Sequence, residues 1–383
     1  MIYSPVLFFH CVDANILNAQ SNNTKAILAR WDAANLPATV FHFSAPDPAV
    51  AANPYVRLIK LPPNRLWKAR ALAAGLGRFS AVYYPGFSAQ LDDKVRRMRQ
   101  TLGRGGVVIS TLEGLPANAH SLQTEEARLS TLAGHKVFCQ SVAPADMKAL
   151  NRMKGSADLI IGISPFLQRM AAQMWPGRDT ADLPLGVNLG CFHSDGRVPH
   201  GCNPKIRVVS AGNFHKSKRP NMFLDFAHHH TQANFTWFGD GPMRGPLLAQ
   251  AKAEGVKNVF FPGPVEPSAL ASAFRRADLF TLPSTSEGVP KVIQEAAACG
   301  LPVVCMNYYE TNSVVHGVNG FQAHDDVDYG KQLDRLINDA DLRARMGAAS
   351  SELARGWDWN DLAPRWQALI WDKVQIAGGR SAL

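Results

Sequence analysis

The chain has 383 residues, of which 46% are hydrophobic and 19% are charged, and its formal net charge at pH 7 is +9. This composition excludes disordered and fibrous proteins, and the length predicts two domains, because one hydrophobic core rarely grows beyond about 250–300 residues. No apolar run reaches the roughly 18 residues of a membrane-spanning helix, so we expect a cytoplasmic enzyme.

The excess of positive charge leaves three classes of partner open, namely nucleic acids, anionic lipid headgroups and phosphate-rich substrates. Lysines and arginines are spread along the chain and cluster only at residues 94–99 and 216–219, without interleaved aromatic residues. A nucleic-acid-binding protein usually carries a basic patch or stripe. We therefore expect no nucleic acid partner, and a phosphate-bearing ligand or a membrane surface is favoured.

The first half of the chain alternates short apolar, β-rich runs with helical segments. This alternation predicts a parallel sheet covered by helices on both faces. The predicted strands lie at residues 6–9, 38–43, 81–84, 107–110, 137–141 and 159–163.

The second half repeats this alternation and predicts a second doubly wound α/β domain. The linker is placed at residues 186–203, which are rich in Gly, His, Pro and Asp, so the domains are 1–186 and 187–361. In such domains, ligands bind at the carboxyl ends of the strands. Strands are predicted at 207–211, 234–238, 259–261, 279–282 and 303–306, and helices at 222–229, 246–254, 267–275 and 290–299.

The most informative segment is 286–304. It follows an apolar strand, turns at Gly288, begins a helix with Pro290 at the first position and ends that helix at Gly300. The helix would therefore open at the strand ends, where free backbone N–H groups and the helix dipole stabilise a diphosphate.

Two carboxylates, Glu287 and Glu295, lie in this segment. Their spacing places the two Cα atoms up to ~12 Å apart along a helix axis, which suits two ends of one ligand. It does not favour a pair of carboxyl groups flanking one glycosidic bond, which stand roughly 5–9.5 Å apart. A salt bridge made by Glu295 is the alternative, and for an isolated Glu pair it would be preferred.

The same segment resembles the signature of retaining glycosyltransferase family 4, the glycosyl transferases group 1, in its Glu-Gly-x-Pro run and the second Glu eight residues later. The resemblance implies that Glu287 binds donor-sugar hydroxyls with help from the backbone of Gly288 and Val289. It implies that Glu295 binds the ribose hydroxyls.

Residues 208–220 resemble a second family element, in which a strand is followed by Gly-Arg, a loop and Lys. Gly212 follows the strand and Lys218 comes six residues later, where the resemblance implies a contact to the donor diphosphate. A lysine there neutralises charge that develops as the glycosidic bond breaks. Asn213 stands where the family has Arg, and Lys216 or Arg219 is the candidate replacement. Taken alone, this segment is better explained as a solvated basic loop.

Further segments extend the resemblance over most of the chain. Residues 238–242 match a ligand loop containing Gly239 and Asp240, and residues 261–265 match the segment whose backbone, at Pro264 and Val265, meets the nucleotide base. A helix at 362–378 resembles the closing helix that crosses back onto the N-terminal domain. The implied fold is GT-B, with two Rossmann-like domains that face each other across a cleft.

The N-terminal half departs from the family pattern. Its first loop, residues 10–21, has no glycine where the family has paired glycines, which leaves Asn18, Gln20 and Ser21 as possible phosphate contacts. Glu113 falls where many relatives have a His facing the reacting centre. It is a candidate for orienting donor or acceptor hydroxyls, and a capping or turn role is equally open.

Several other signals are set aside. Gly239, Gly241 and Gly245 miss the dinucleotide fingerprint by one residue and lack the acid that should follow, so NAD is rejected and no cofactor is predicted. The consecutive histidines 228–230 would splay around a helix. The six cysteines lack zinc-site spacing. The Asp-x-Asp pairs at 326/328 and 339/341 lie in polar helical regions, so no obligatory metal is expected.

The resemblance implies a retaining glycosyltransferase that uses a nucleotide-diphosphate sugar, and the position of the Asp-x-Asp pairs predicts that it is metal-independent. The expected acceptor is a glycan or a lipid-linked glycan of envelope polysaccharide synthesis, with peripheral contact at the inner membrane face. Two alternatives are a sugar-nucleotide epimerase of the same fold and a non-catalytic binder of sugar nucleotides or glycans. Donor conversion without an acceptor would mark the first, and binding without turnover the second.

Overall fold

The computed structural model of the protein describes residues 4–15, 19–32, 35–62, 79–85, 99, 106–113, 156–197, 205–285, 287–309 and 311–380. These residues form two compact units. The first unit contains the described residues up to 186 together with 359–380, and the second contains those from 187 to 358.

The described part of the first unit is built on a parallel sheet in the order β3-β2-β1-β4-β5-β6-β7. Its central strands are almost wholly buried, as expected for a sheet covered on both faces. The strands are β1 (Val6–Cys11), β2 (Ala38–His42), β3 (Val56–Lys60), β4 (Ala81–Tyr84), β5 (Val107–Leu112), β6 (Leu159–Gly162) and β7 (Asp179–Asp182), and the helices are α1 (Ala19–Ala29), α2 (Pro48–Ala51) and α3 (Pro165–Met174).

The second unit also contains a parallel sheet, in the order β10-β9-β8-β11-β12-β13. Its strands are β8 (Ile206–Ala211), β9 (Ala233–Phe238), β10 (Val259–Gly263), β11 (Leu279–Leu282), β12 (Val303–Met306) and β13 (Gly320–Ala323). Its helices are α4 (Pro220–His229), α5 (Arg244–Ala253), α6 (Pro267–Arg276), α7 (Lys291–Ala298), α8 (Asp326–Asn338) and α9 (Ala340–Arg355), and Lys216–Lys218 form a turn of 3₁₀ helix.

An aromatic cluster beneath β8 and β9 supports the loop that follows β8. The ring of Trp237, fully buried, lies edge-on to Phe223 at a centroid distance of 5.2 Å and near Phe214 at 5.6 Å. Its indole N–H donates to the carbonyl of Gly212 over 3.0 Å, which satisfies the one polar atom of a buried tryptophan. The core therefore fixes the backbone where this loop begins.

The last helix, α10 (Trp359–Arg380), belongs to the first unit. Trp366 is fully buried, packs edge-on to Tyr83 and donates its indole N–H to the carbonyl of Pro184 over 3.0 Å. The chain leaves the first unit after residue 186 and returns to it at residue 359. The segments at these two points are hydrogen-bonded to each other, since the N–H of Val187 donates to the carbonyl of Trp357 over 2.7 Å.

The predicted α/β class with two parallel sheets is confirmed, and the predicted strands that the structure describes differ from the observed ones by at most two residues at either end. The predicted strand at 137–141 lies outside the described residues. Strands β3, β7 and β13 were not predicted. Within the described residues, no helix combines the length and the apolar character needed to cross a membrane.

Candidate functional site

The candidate site of the second unit lies where the strand order of its sheet reverses. β8 and β11 are neighbours, with Val208 opposite Leu279, but the chain continues from β8 to β9 on one side and from β11 to β12 on the other. Loops that leave two such strands diverge and open a crevice at their carboxyl ends, where α/β sheets bind ligands. The loops in question are residues 212–219 and 283–290.

Backbone and side-chain contacts join these two loops. The N–H of Thr285 donates to the carbonyl of Ser217 over 2.8 Å, and its hydroxyl donates to the same carbonyl over 3.3 Å. The ammonium of Lys218 forms an ion pair with the Oε1 atom of Glu287. The side chains of this pair are 24% and 10% exposed, so both charges are largely withdrawn from water.

The pairing of Lys218 with Glu287 brings together two of the residues that were predicted to be catalytic, although they are far apart in the sequence. A lysine near a carboxylate in a partly buried crevice is poised to exchange this partner for an incoming anion. Glu287 would then be released to accept hydrogen bonds from hydroxyl groups. The arrangement therefore suits a ligand that carries both phosphates and hydroxyls.

Arg219 follows Lys218 in an unusual backbone conformation, with φ 54° and ψ 49°, and among the described residues it is the one non-glycine residue with positive φ. Its guanidinium binds both carboxylate oxygens of Asp326, on α8, with one distance of 2.7 Å. Burial lowers the pKa of Arg219, but the hydrogen bonds and charge of Asp326 outweigh burial and raise it. Arg219 is thus engaged with Asp326, and Lys216, which is exposed, remains the candidate to replace the missing arginine at Asn213.

We expect Arg219→Gly to be more stable than Arg219→Ala by about 1 kcal/mol. Both variants lose the ion pair with Asp326, but alanine keeps the left-handed backbone penalty of roughly 1–2 kcal/mol, which glycine does not have. Urea unfolding followed by circular dichroism measures the difference. Equal stability of the two variants would show that the left-handed conformation is not retained without the arginine.

Glycines at the ends of neighbouring strands shape the edge of the crevice beside the two loops. Gly239, directly after β9, has φ 130°, and a Cβ atom built on it would lie 2.2 Å from the carbonyl oxygen of Gly212. Its N–H donates to the carbonyl of Gly263 over 2.9 Å. Any side chain at position 239 would therefore force the backbone at Gly239 away from that at Gly212. The carboxyl ends of these strands thus present backbone atoms without side chains at this point.

The predicted donor residues around this edge are accessible. Asn213, Asp240, Pro264 and Val265 are all exposed, and the Oδ1 atom of Asp240 accepts the N–H of Gly241 over 2.9 Å. Asn213 lies between Gly212 and the buried Phe214, so its backbone is fixed by the core while its side chain faces solvent. These residues can contact a ligand lying along the carboxyl ends of β8, β9 and β10.

Helix α7 begins one residue later than predicted. Pro290 is the N-cap residue, with φ −72° and ψ 96°, and Lys291 is the first helical residue, because the ψ of Pro290 is extended rather than helical. The N-cap residue Pro290 makes no side-chain hydrogen bond to the N–H groups at this end. Gly288 and Val289, half-buried, lie just before it, so the uncapped helix start and its dipole face the crevice loop.

Glu295 lies in the second turn of α7 and is half-buried. Burial raises the pKa of its carboxyl group, and the charge of Lys291, one turn earlier, partly counteracts this. A carboxyl group that is partly desolvated and carries no ion pair among the described residues gains more from a hydroxyl donor than one in water does. Glu295 can therefore bind ligand hydroxyls.

Three of the four aspartates in the Asp-x-Asp pairs have structural partners. Asp326 pairs with Arg219, Asp328 accepts the N–H of His324 over 3.1 Å, and Asp339 caps α9 through the N–H of Leu342 over 2.8 Å. In the described part of the chain, no group of three or more His, Cys, Asp or Glu residues is arranged to hold a metal ion.

The first unit contains a comparable reversal of strand order, between β1 and β4. Two of the predicted phosphate contacts have internal partners there: Gln20 donates to the carbonyl of Pro85 over 3.2 Å, and Ser21 donates to the carbonyl of Cys11 over 3.1 Å. Ser21 is fully buried, so it is not accessible to a phosphate, and that expectation is wrong for its hydroxyl. Asn18 lies outside the described residues.

Glu113 stands at the carboxyl end of β5 in the first unit. Thr111 donates its hydroxyl to one carboxylate oxygen over 3.1 Å, and Asn23 donates its amide to the other over 3.2 Å. Both contacts fix the orientation of the carboxylate at the edge of the sheet where ligands bind. Both sequence-based interpretations of Glu113, a hydroxyl-orienting role and a structural one, are compatible with these contacts and stay predictions.

Sequence reasoning missed Asp13, which is buried in the loop after β1. Its Oδ1 atom accepts the N–H of Phe43 over 2.9 Å and both the N–H and the hydroxyl of Ser44, which ties this loop to the loop after β2. Burial raises the pKa of Asp13, but these hydrogen bonds outweigh burial and lower it. Its only sequence signal is a lone acid directly after an apolar strand.

Comparison with known proteins places the site in context. Residues 199–353 match the model of a family described as Glycosyl transferases group 1, which confirms the family predicted from the sequence. A D-inositol 3-phosphate glycosyltransferase from Arthrobacter sp. strain FB24 is 29% identical over 225 residues, which are 57% of this chain and 49% of the relative. The chain thus spans about half the length of this curated relative.

Two solved structures share the fold. Sucrose-phosphate synthase from Thermosynechococcus elongatus has a TM-score of 0.77 and 17% identity, covering 96% of this chain and 98% of its own. HepE from Anabaena, solved with UDP and glucose, has a TM-score of 0.72 and 16% identity, covering 96% and 99%. The predicted GT-B fold is confirmed by these similarities.

Proposed function

We propose that the chain transfers a sugar from a nucleotide-diphosphate sugar to an acceptor hydroxyl, which is consistent with the match of residues 199–353 to the glycosyl transferases group 1. The observation that carries the proposal is the ion pair of Lys218 and Glu287 at the point where the strand order of the C-terminal sheet reverses. In this proposal the ammonium of Lys218 binds the diphosphate and the carboxylate of Glu287 binds the sugar.

The donor would lie along the carboxyl ends of the C-terminal strands. The diphosphate would face Lys218, Gly212 and the uncapped start of α7, where the N–H groups of Gly288 and Val289 lie nearby. The sugar hydroxyls would donate to Glu287. The ribose would bind Glu295, and the base would lie against the exposed residues Asp240, Pro264 and Val265, next to Gly239 and Asn213.

The proposed reaction retains the anomeric configuration. The bond between the anomeric carbon and the diphosphate oxygen breaks, and its electron pair stays on the diphosphate. The acceptor oxygen forms the new bond on the same face of the sugar, and its proton passes to the departing diphosphate. Lys218 stabilises the negative charge that develops on that leaving group. No residue of the chain is assigned as a nucleophile.

The proposed acceptor is a glycan or lipid-linked glycan of envelope polysaccharide synthesis, and Glu113 of the first unit would orient its hydroxyl. The net charge of +9 supports peripheral contact with anionic lipids at the inner membrane face. Co-sedimentation with vesicles containing anionic lipid at low salt tests this contact, and a protein that stays in the supernatant would refute it.

A thermal-shift panel of UDP, GDP, ADP and their sugars tests the donor site. We expect one nucleotide series to stabilise the protein, by about 2.7 kcal/mol at a concentration of 100 Kd. The shift should be the same with and without Mg²⁺, because the proposed clamp uses Lys218 and helix N–H groups. Glu295→Ala should abolish most of the shift, because the ribose hydroxyls lose their acceptor.

The matched control is Glu352→Ala, an exposed glutamate on α9 that should leave the shift unchanged. No shift with any nucleotide would contradict the proposed donor class. A shift that requires Mg²⁺ would contradict the metal-independent mechanism. A nucleotide shift without sugar transfer to any tested acceptor, or conversion of the donor sugar alone, would contradict the transferase activity itself.

A further inference from the structure

A cavity lies at the amino ends of the strands of the C-terminal sheet, opposite the candidate donor site at their carboxyl ends. It has a volume of about 390 Å³ and lies beside the amino end of β11, whereas Glu287 follows the carboxyl end of that strand. We call it the arginine cavity. The polar residues and glycines that line it include Ser194, Arg197, Asp278, Gly300, Arg343 and Ser351.

The single carboxylate of the arginine cavity already has a partner. Both oxygens of Asp278 are bound by the guanidinium of Arg207, over 2.9 Å at Oδ1 and 3.0 Å at Oδ2, and the backbone N–H of Arg207 also donates to Oδ2 over 2.8 Å. A bidentate pair of this kind neutralises the carboxylate. Asp278 is therefore not available as the close partner of another arginine.

The two arginines that line the cavity lack such a partner. Arg343 is 6% exposed, and its Nη1 atom donates to the carbonyls of Leu336 and Ile337 over 2.7 and 2.9 Å, while Arg197 donates to the carbonyl of Ala277 over 3.5 Å. Among the described residues, neither guanidinium has a carboxylate within salt-bridge distance. Burial lowers the pKa of both, and the charge of Asp278 counteracts this at longer range.

Two polar groups converge on one point of the cavity. A Cβ atom built on Gly300 would lie 3.0 Å from both the Nη1 atom of Arg197 and the hydroxyl oxygen of Ser351. Gly347 of α9 packs so closely that a Cβ atom there would lie 2.4 Å from the carbonyl oxygen of Gly300. The two glycines keep side chains out of this part of the cavity, and the donors face the same space.

We propose that the arginine cavity binds a small phosphomonoester, whose phosphate group is held by Arg197 and Arg343 with a hydrogen bond from Ser351. Arg343 is buried and Arg197 is half-buried, and holding two like charges there without a counter-charge is costly. A dianionic phosphate supplies that counter-charge. The volume lies within the range of small-molecule pockets, roughly 300–1,000 Å³, so it holds a phosphorylated small molecule rather than phosphate alone.

Isothermal titration of the full chain tests this site with inorganic phosphate and with a hexose 6-phosphate, at up to millimolar concentrations. We expect saturable binding of the hexose phosphate, tighter than that of inorganic phosphate. Arg197→Gln should weaken its affinity by at least about tenfold, since each charge-assisted hydrogen bond is worth roughly 1.5–3 kcal/mol. Arg343→Gln should do the same, with the folding of each variant checked by its Tm.

Two controls locate the binding. Arg345→Gln removes an exposed arginine of the same helix and should leave the affinity unchanged, and Lys218→Gln disables the candidate donor site and should also leave it unchanged. Loss of binding in Lys218→Gln would place the anion in the donor site and overturn the proposal. So would the absence of binding, binding of inorganic phosphate alone, or equal affinity in Arg197→Gln.

Discussion

Lys218→Ala should lower kcat/KM for the nucleotide-sugar donor by about 10²–10³-fold, with most of the loss in kcat. The reason is that the proposed role of Lys218 is to stabilise charge on the departing diphosphate, and one preorganised donor to developing charge is worth roughly 2.7–4 kcal/mol. Initial rates with the donor identified in the nucleotide panel measure the effect. Lys252→Ala, at an exposed lysine in the last turn of α5, is the matched control and should change kcat/KM only slightly.

Lys218→Ala also leaves the carboxylate of Glu287 without its partner in a largely buried crevice, which lowers stability as well. The double variant Lys218→Ala/Glu287→Gln removes both charges, so its stability shows how much of the loss in Lys218→Ala comes from the unpaired carboxylate, while Glu287→Gln itself also weakens sugar binding. The double variant should recover stability but not activity. Recovery of kcat in the double variant would mean that Lys218 only neutralises Glu287, and its proposed contact with the leaving group would be wrong.

Trp366→Ala should lower the free energy of unfolding of the first unit by about 3–5 kcal/mol. Trp366 is fully buried in α10, against Tyr83, and its truncation leaves a large cavity and an unpaired carbonyl at Pro184. Urea unfolding followed by far-ultraviolet circular dichroism measures this loss. Trp366→Phe keeps most of the packing and should cost less, mainly the lost hydrogen bond and some volume.

The control for Trp366→Ala is Arg365→Ala, at the preceding, exposed position of the same helix. It should change the free energy of unfolding by less than about 0.5 kcal/mol. An unfolding midpoint in Trp366→Ala equal to that of Arg365→Ala would mean that α10 does not contribute to the stability of the first unit.

The sequence predicted the central strands better than the edges, for a physical reason. Central strands such as β4 and β11 are buried on both faces and read as continuous apolar runs. The three unpredicted strands, β3, β7 and β13, lie at sheet edges. Edge strands need less apolar surface: β7 is Asp-Thr-Ala-Asp, and β3 carries Arg57 and Lys60.

In the candidate site, too, some features were predictable from the sequence and others were not. Glu287, Gly288, Glu295 and Lys218 stand in short motifs whose spacing is visible in the sequence. By contrast, the contact of Arg219 with Asp326, like that of Asp13 with Ser44, depends on which segments the fold brings together. The inaccessibility of Ser21 likewise follows from packing of α1 on the sheet, which residue type alone does not predict.

The return of the chain to its first unit constrains the order of events during synthesis. The described residues of the second unit lie between 187 and 358, whereas those of the first unit include 359–380, which complete its structure around Trp366. At about 5–20 residues per second, the ribosome takes roughly ten to thirty seconds to pass from the end of one segment to the start of the other. Throughout this interval the surface that α10 later covers is exposed, so the nascent first unit is open to chaperones and to misassociation while the C-terminal unit is free to fold first.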